Sequence, residues 1–233
     1  MSIVLEQIWI KLRWVFLGLC LLALFLARPN QELVLFFFCL TFICFLLCRW
    51  HPSDPIFKIL LVSYLLRLLM LYIRTSPWFV SWSNIILGDE IGYEAGAAKY
   101  ASMLRAGNFG GFLGDIRYYT YHIIISIPYA LFGRIPNLIR VFNAIINTIT
   151  IYYIYLIANK LFGQKAAKMA GWVYCFWPST LFSFISMCRD ALTLFAVVVF
   201  IWLSIKLMEE KSLYGFVKLG LCALLLYLLR CVT

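Results

Sequence analysis

Apolar residues recur in long runs along this chain, and polar residues collect in the gaps between them. The runs cover residues 14–27, 33–48, 56–73, 138–158, 169–187, 191–205 and 213–229. A helix needs about 20 mostly apolar residues to cross the hydrocarbon core. Tilt and snorkelling Lys or Arg ends extend the shorter runs. The pattern therefore predicts seven spanning helices in an all-α, polytopic bundle. Residues 118–132, YYTYHIIISIPYALF, form an eighth apolar stretch of a different kind. It is short, aromatic at one end, interrupted by Pro128 and followed by the turn-like GRIPN.

Charge decides where that stretch lies. If it does not cross, Lys160, Lys165 and Lys168 share a side with Lys11, Arg13, Arg49 and Lys58, and with Lys206, Lys211 and Lys218. Every lysine except Lys99 then faces the cytoplasm, as the positive-inside rule favours. If it crosses, the Lys160–Lys168 cluster moves outside. Residues 118–132 are accordingly expected as an interfacial or re-entrant helix within an outer loop, 75–137, with the N-terminus cytoplasmic. Lys11 and Arg13 ahead of an apolar core mimic a signal peptide, but no small-x-small cleavage site follows, so a retained first helix is expected.

Composition makes lipid a requirement. Hydrophobic residues make up 64% of the chain and charged residues 13%, with a mean hydropathy of +0.93. About a quarter of a soluble domain is charged, so this chain cannot cover itself with polar surface, and bilayer lipid takes water's place. The net charge of +10 sits at the ends of apolar runs, where it sets topology and meets headgroups; no basic stripe with interleaved aromatics points to nucleic acid. The cysteines lie mostly inside apolar runs, and Cys44 and Cys48 share a helix face without any His or acid to complete a metal site.

The scarce acids are unevenly placed. Asp89, Glu90 and Glu94 fall within six positions of the stretch LGDEIGYEAGAAKYASML, at the start of the outer loop. Asp115 and Asp190 join them on the outer face, so half of the 10 acids lie there. Acids contribute little to orientation, so topology does not require this grouping. Two readings stay open. Asp89 can cap a helix beginning near Glu90, in which Tyr93, Ala97, Tyr100 and Leu104 make an apolar stripe suited to the membrane surface. Alternatively, a carboxylate at the lipid boundary can take a proton from an acceptor or hold Mg²⁺ or Mn²⁺ against a phosphate.

Other polar positions carry similar pairs of readings. Asp190 suits an N-cap, and Arg189 beside it suits an ion pair or a phosphate. Arg67 lies well inside the third span, where an ionisable residue is costly and is paired, functional or snorkelling outward. Arg230 suits an anchor, His122 a structural role beside Tyr121, and His51 a loop. There is no glycine-rich phosphate loop, nucleophile elbow or HExxH, which favours a lipid-borne substrate over a cytosolic sugar nucleotide.

The order of these features, over residues 56–206, resembles the GT-C superfamily of membrane glycosyltransferases. It is most similar to the group of protein mannosyltransferases and bacterial lipid A aminoarabinose transferases. The matching positions are Asp89, Glu90, Tyr93, Ala97, Phe132–Gly133, Arg140, Phe162–Gly163, Ala166, Pro178 and Asp190. The resemblance implies transfer of a sugar from a polyprenyl-phosphate carrier to a lipid, glycan or protein acceptor on the outer face of a bacterial plasma membrane. It implies Asp89 as the base or acceptor-positioning acid with Glu90 beside it, Asp190 as a second acid, and Tyr93 as a substrate contact. Arg189, Arg140 or Arg67 would bind the donor phosphate, and Asp89 with Asp190 would share any Mg²⁺ or Mn²⁺.

Two departures accompany it. Two helices, residues 1–55, precede the core at 56–233, where many relatives have one. Relatives are also longer, so a fragment, a truncated product or a minimal form needing a protein partner is expected. The competing classes are a non-catalytic membrane scaffold, whose acids would only cap helices, and a transporter of lipid-linked sugars, which would need a charged path and inverted repeats.

Overall fold

The computed structural model describes residues 14–24, 26, 30–50, 54–76, 88–114, 116–182 and 186–230. Lys11, Arg13, His51 and Asp115, and the side chain of Asp89, lie outside that set. The described residues form helices and connecting turns without a strand. In order, these helices are α1 (Trp14–Leu24), α2 (Gln31–Arg49), α3 (Pro55–Thr75), α4 (Gly88–Arg105), α5 (Phe109–Gly114), α6 (Ile116–Phe132), α7 (Pro136–Phe176), α8 (Pro178–Phe182), α9 (Asp190–Glu210) and α10 (Leu213–Arg230).

Helix starts follow from local chemistry. The Asn30 side chain accepts from the Glu32 and Leu33 amides at 3.0 and 3.2 Å, capping α2. Pro55 and Pro136 occupy the first turn of α3 and α7, where their missing N–H has no partner to lose. Helices α2, α3, α7, α9 and α10 are each long and apolar enough to cross a membrane, whereas α1 is shorter.

Helix α7 is two limbs. At 41 residues it would extend about 60 Å if straight, twice a bilayer core. Gly163 breaks it, with φ 81° and ψ 175°, a conformation essentially confined to glycine. Beyond it the chain runs back along itself: Tyr174 Oη donates to Asn147 Oδ1 at 3.0 Å, and Gly171 lies against Ile151. The seven apolar runs thus map onto α1, α2, α3, the two limbs of α7, α9 and α10. Gly163→Ala is expected to lower stability by about 1–3 kcal/mol, read as a fall in unfolding temperature in detergent. An unchanged transition would sink the hairpin.

Two expectations are corrected. The run at 169–187 is not one helix: α7 stops at Phe176, because Trp177 precedes Pro178 and takes an extended conformation, φ −64° and ψ 118°. The short α8 follows, and residues 186–189 form an irregular turn. Pro128 does not interrupt the 118–132 helix either. Helix α6 runs through it, and its irregular backbone is at Tyr119, φ −126° and ψ 30°.

The two largest cores among the described residues hold most of the bundle. One joins α2, α3 and both limbs of α7 through Phe42, Leu46, Leu60, Tyr64, Ile151 and Cys175. The other joins α4, α6, α7, α9 and α10 through Ala97, Tyr121, Ile125, Ile139, Met187 and Leu229. Helix α4 packs chiefly on α6. The approach is close at Gly96, where an added Cβ would lie 2.0 Å from His122 Cδ2. Many large apolar side chains point outward, such as Leu213 at 82% exposure and Leu26 at 72%; in lipid that is the stable arrangement.

Candidate functional site

Glu90 is the hub of one end of the bundle. Its side chain is 4% exposed and accepts three hydrogen bonds. Arg74 Nη2 donates to Oε2 at 2.8 Å, Arg140 Nε to Oε1 at 2.8 Å, and the Met187 amide to Oε1 at 3.0 Å. Four segments therefore meet on one carboxylate: the last turn of α3, the first turn of α4, the start of α7 and the turn before α9. Arg140 is steadied in turn by Asn137, whose Oδ1 accepts from Nη1 at 2.7 Å.

The irregular turn before α9 makes this arrangement available. In a continuous helix the Met187 amide would bond the carbonyl four residues back. In the turn it donates to Glu90 instead. Asn143, one turn along α7 from Arg140, holds the same turn from below. Its Nδ2 donates to the Ser186 carbonyl at 2.6 Å, the Cys188 carbonyl at 3.3 Å and the Tyr121 hydroxyl at 3.1 Å.

Electrostatics keeps Glu90 ionised. Burial alone would raise its pKa, but the hydrogen bond and charge of Arg140, the charge of Arg74 and the Met187 amide outweigh it, and the pKa falls below the ordinary value. A carboxylate in this state is a poor proton acceptor. It also has both oxygens committed to donors, under two guanidinium charges, which is unsuitable for a cation. Among the described residues, no group of three or more His, Cys, Asp or Glu side chains gathers as a metal site.

The remaining site residues are dispersed around this hub. Helix α4 begins at Gly88, so Asp89 lies within its first turn rather than ahead of it. Asp190 is the first residue of α9 and exposed, and Arg189 occupies the N-cap position. Arg189 Nη1 reaches the Leu229 carbonyl at 3.4 Å, against the last turn of α10. Tyr93 packs on α6, its ring 5.0 Å from Tyr121 and 5.1 Å from His122. Glu94 pairs with Arg134 at 2.9 Å on the surface.

Arg67 does not join them, nor does it snorkel. It is fully buried, about 10 Å along α3 from Arg74 at 1.5 Å per residue. Its Nη1 donates to the Ser63 carbonyl at 3.2 Å and to the Ser63 hydroxyl, and its guanidinium lies 5.9 Å from the Tyr174 ring centre. Nε and Nη2 have no hydrogen-bond partner among the described residues. A buried charge is costly unless it is paired and fully hydrogen-bonded, and Arg67 is only partly satisfied by Ser63 and the Tyr174 ring. Arg67→Met is therefore expected to raise the unfolding temperature; a marked fall would mean that a counter-ion holds the guanidinium.

Two members of the hub were not singled out from the sequence. Arg74 looks like an ordinary cation at a helix end, although it lies seven residues, two turns, after Arg67 and on the same face. Asn143 is one amide in an apolar run, and the spacing Arg140, Asn143, Asn147 along one face is the signal that could have found it.

The fold and this hub define a helical membrane protein with a buried, arginine-bound carboxylate where four segments converge. Residues 120–231, just under half of the chain, match the family model described as dolichyl-phosphate-mannose-protein mannosyltransferase. The match supports a membrane glycosyltransferase related to that family, and runs from α6 to the end of α10. Asp89 and Glu90 precede it. No curated protein and no solved structure matches the chain.

Proposed function

We propose that the chain is a membrane glycosyltransferase of the GT-C type, or the core of one, moving a sugar from a polyprenyl-phosphate carrier to an acceptor on the outer face of a bacterial plasma membrane. The observation that carries this reading is the tie between Glu90, Arg74, Arg140 and the Met187 amide. It anchors the first turn of α4, and Asp89 with it, at the same end of the bundle as Asp190. The lysines at the other end, Lys160 and Lys206 among them, favour that end as cytoplasmic.

The roles follow from the charge states. Asp89, next to the neutralised Glu90, takes the proton from the acceptor hydroxyl as its oxygen attacks the anomeric carbon. The bond from that carbon to the carrier phosphate breaks, and negative charge leaves with the phosphate. Arg74 and Arg140 exceed Glu90 by one positive charge, and that local excess favours this leaving group. Glu90 acts as a positioning residue and not as the base. Asp190 is the second acid of the site, and Tyr93 contributes to the substrate surface beside α6.

The test is sugar transfer by the purified chain in vesicles, from a polyprenyl-phosphate-linked sugar, with Asp89→Asn compared at equal abundance. Transfer by that variant at the wild-type rate would remove Asp89 from the chemistry.

A further inference from the structure

At the opposite end from Glu90, the bend between α9 and α10 forms a small open recess of about 80 Å³. Lys206 and Glu210 line it from α9, Ser212 from the turn, and Tyr214, Gly215 and Lys218 from α10. Lys218 Nζ lies 4.0 Å from the centre of the Tyr214 ring. The carboxylate of Glu210 is 4.0 Å from Lys206 Nζ, and both side chains are at least half exposed, so that pairing is weak. Among the described residues, no carboxylate stands within ion-pair distance of Lys218 or Lys211.

The backbone of the bend carries a second observation. Lys211 closes α9 in the left-handed conformation, φ 36° and ψ 41°, which glycine adopts freely and an L-residue does not. A lysine there places a cation at the C-terminal end of the α9 dipole. Gly215 lets the helices close, since a Cβ there would lie 3.0 Å from Leu207 Cδ1. From the recess the outer face of α10 continues as exposed apolar side chains, Phe216 at 60% and Val217 at 53%. Charged donors thus stand directly above a surface suited to acyl chains.

We propose that this recess seats the phosphate headgroup of an anionic membrane lipid, between Lys206 and Lys218, with its acyl chains along α10. Lysine is a strongly hydrated point charge suited to a phosphate that exchanges with the bulk lipid, and anionic leaflets draw such clusters to themselves. The Ser212 hydroxyl adds a neutral donor. This site does not depend on the transferase reading.

The test uses the full chain purified in neutral detergent and mixed with phosphatidylglycerol or phosphatidylcholine, with bound lipid counted by native mass spectrometry. Phosphatidylglycerol is expected to be retained in preference, and Lys206→Gln/Lys218→Gln to reduce that retention at least about fivefold. Lys165→Gln/Lys168→Gln removes the same charge from the neighbouring bend and is expected to leave it intact. Equal loss in both double variants would reduce the effect to general charge and overturn the site. Retention unchanged by Lys206→Gln/Lys218→Gln would do the same. Displacement of the lipid by millimolar inorganic phosphate would identify a free-phosphate site instead. Far-ultraviolet circular dichroism at the wild-type level checks that the variants are folded.

Discussion

Glu90→Gln is expected to destabilise the protein by about 3–5 kcal/mol, the cost of removing one partner from a buried ion cluster. Oε1 accepts from Arg140 and Met187 while Oε2 accepts from Arg74. A glutamine offers one oxygen, and its NH₂ must face a donor in whichever rotamer it takes. Two guanidinium groups, with side chains 9% and 19% exposed, would lose their counter-charge. The readout is thermal unfolding in detergent, and a shift within error would show that the cluster contributes no stability. Adding Arg74→Met to Glu90→Gln removes one stranded charge, so the double variant should be more stable than the sum of the singles.

The same cluster sets a pH dependence. Glu90 has a folded-state pKa below its unfolded value near 4.5. Its contribution is therefore fully present above that value and is lost as pH falls through the lower folded-state pKa. Wild type should lose stability on acidification below about pH 4.5, and Glu90→Gln, with nothing to titrate there, should follow a flatter curve. Parallel curves would place the acid response elsewhere.

Asp89→Asn should behave in the opposite way, with unfolding unchanged and transfer slowed by about 10²–10⁴-fold, the usual contribution of a positioned base. The two neighbours therefore separate by readout: Glu90→Gln acts on unfolding and on rate together, Asp89→Asn on rate alone. Joint loss of stability and transfer in Asp89→Asn would make Asp89 a second structural carboxylate and end its assignment as the base.

The sequence pattern and the structure agree where one physical effect dominates. Long apolar runs cannot be solvated, so their helices are legible without any knowledge of neighbours. The reversal at Gly163 was legible as a lysine-flanked turn between two runs, and the acids at 89, 90 and 94 as an anomaly of placement. The error at 169–187 had a local cause: hydropathy averages over Pro178, whereas the backbone does not. The error at Pro128 ran the other way, since α6 continues through that residue.

What the sequence by itself determined is where most of the long apolar helices lie, their lipid-facing composition and the expected grouping of the lysines other than Lys99, because these depend on hydration and charge counted along the chain. Only the tertiary structure decided that Glu90 is neutralised, that Arg74 and Arg140 neutralise it, and that Arg67 stands apart. Those facts depend on residues 16, 50 and 97 positions from Glu90 meeting within 3.0 Å. Hydrogen bonds act at that range and leave no periodic trace in a sequence. As a letter Glu90 is one acid among several, and its neighbours in space make it the carboxylate held by two arginines.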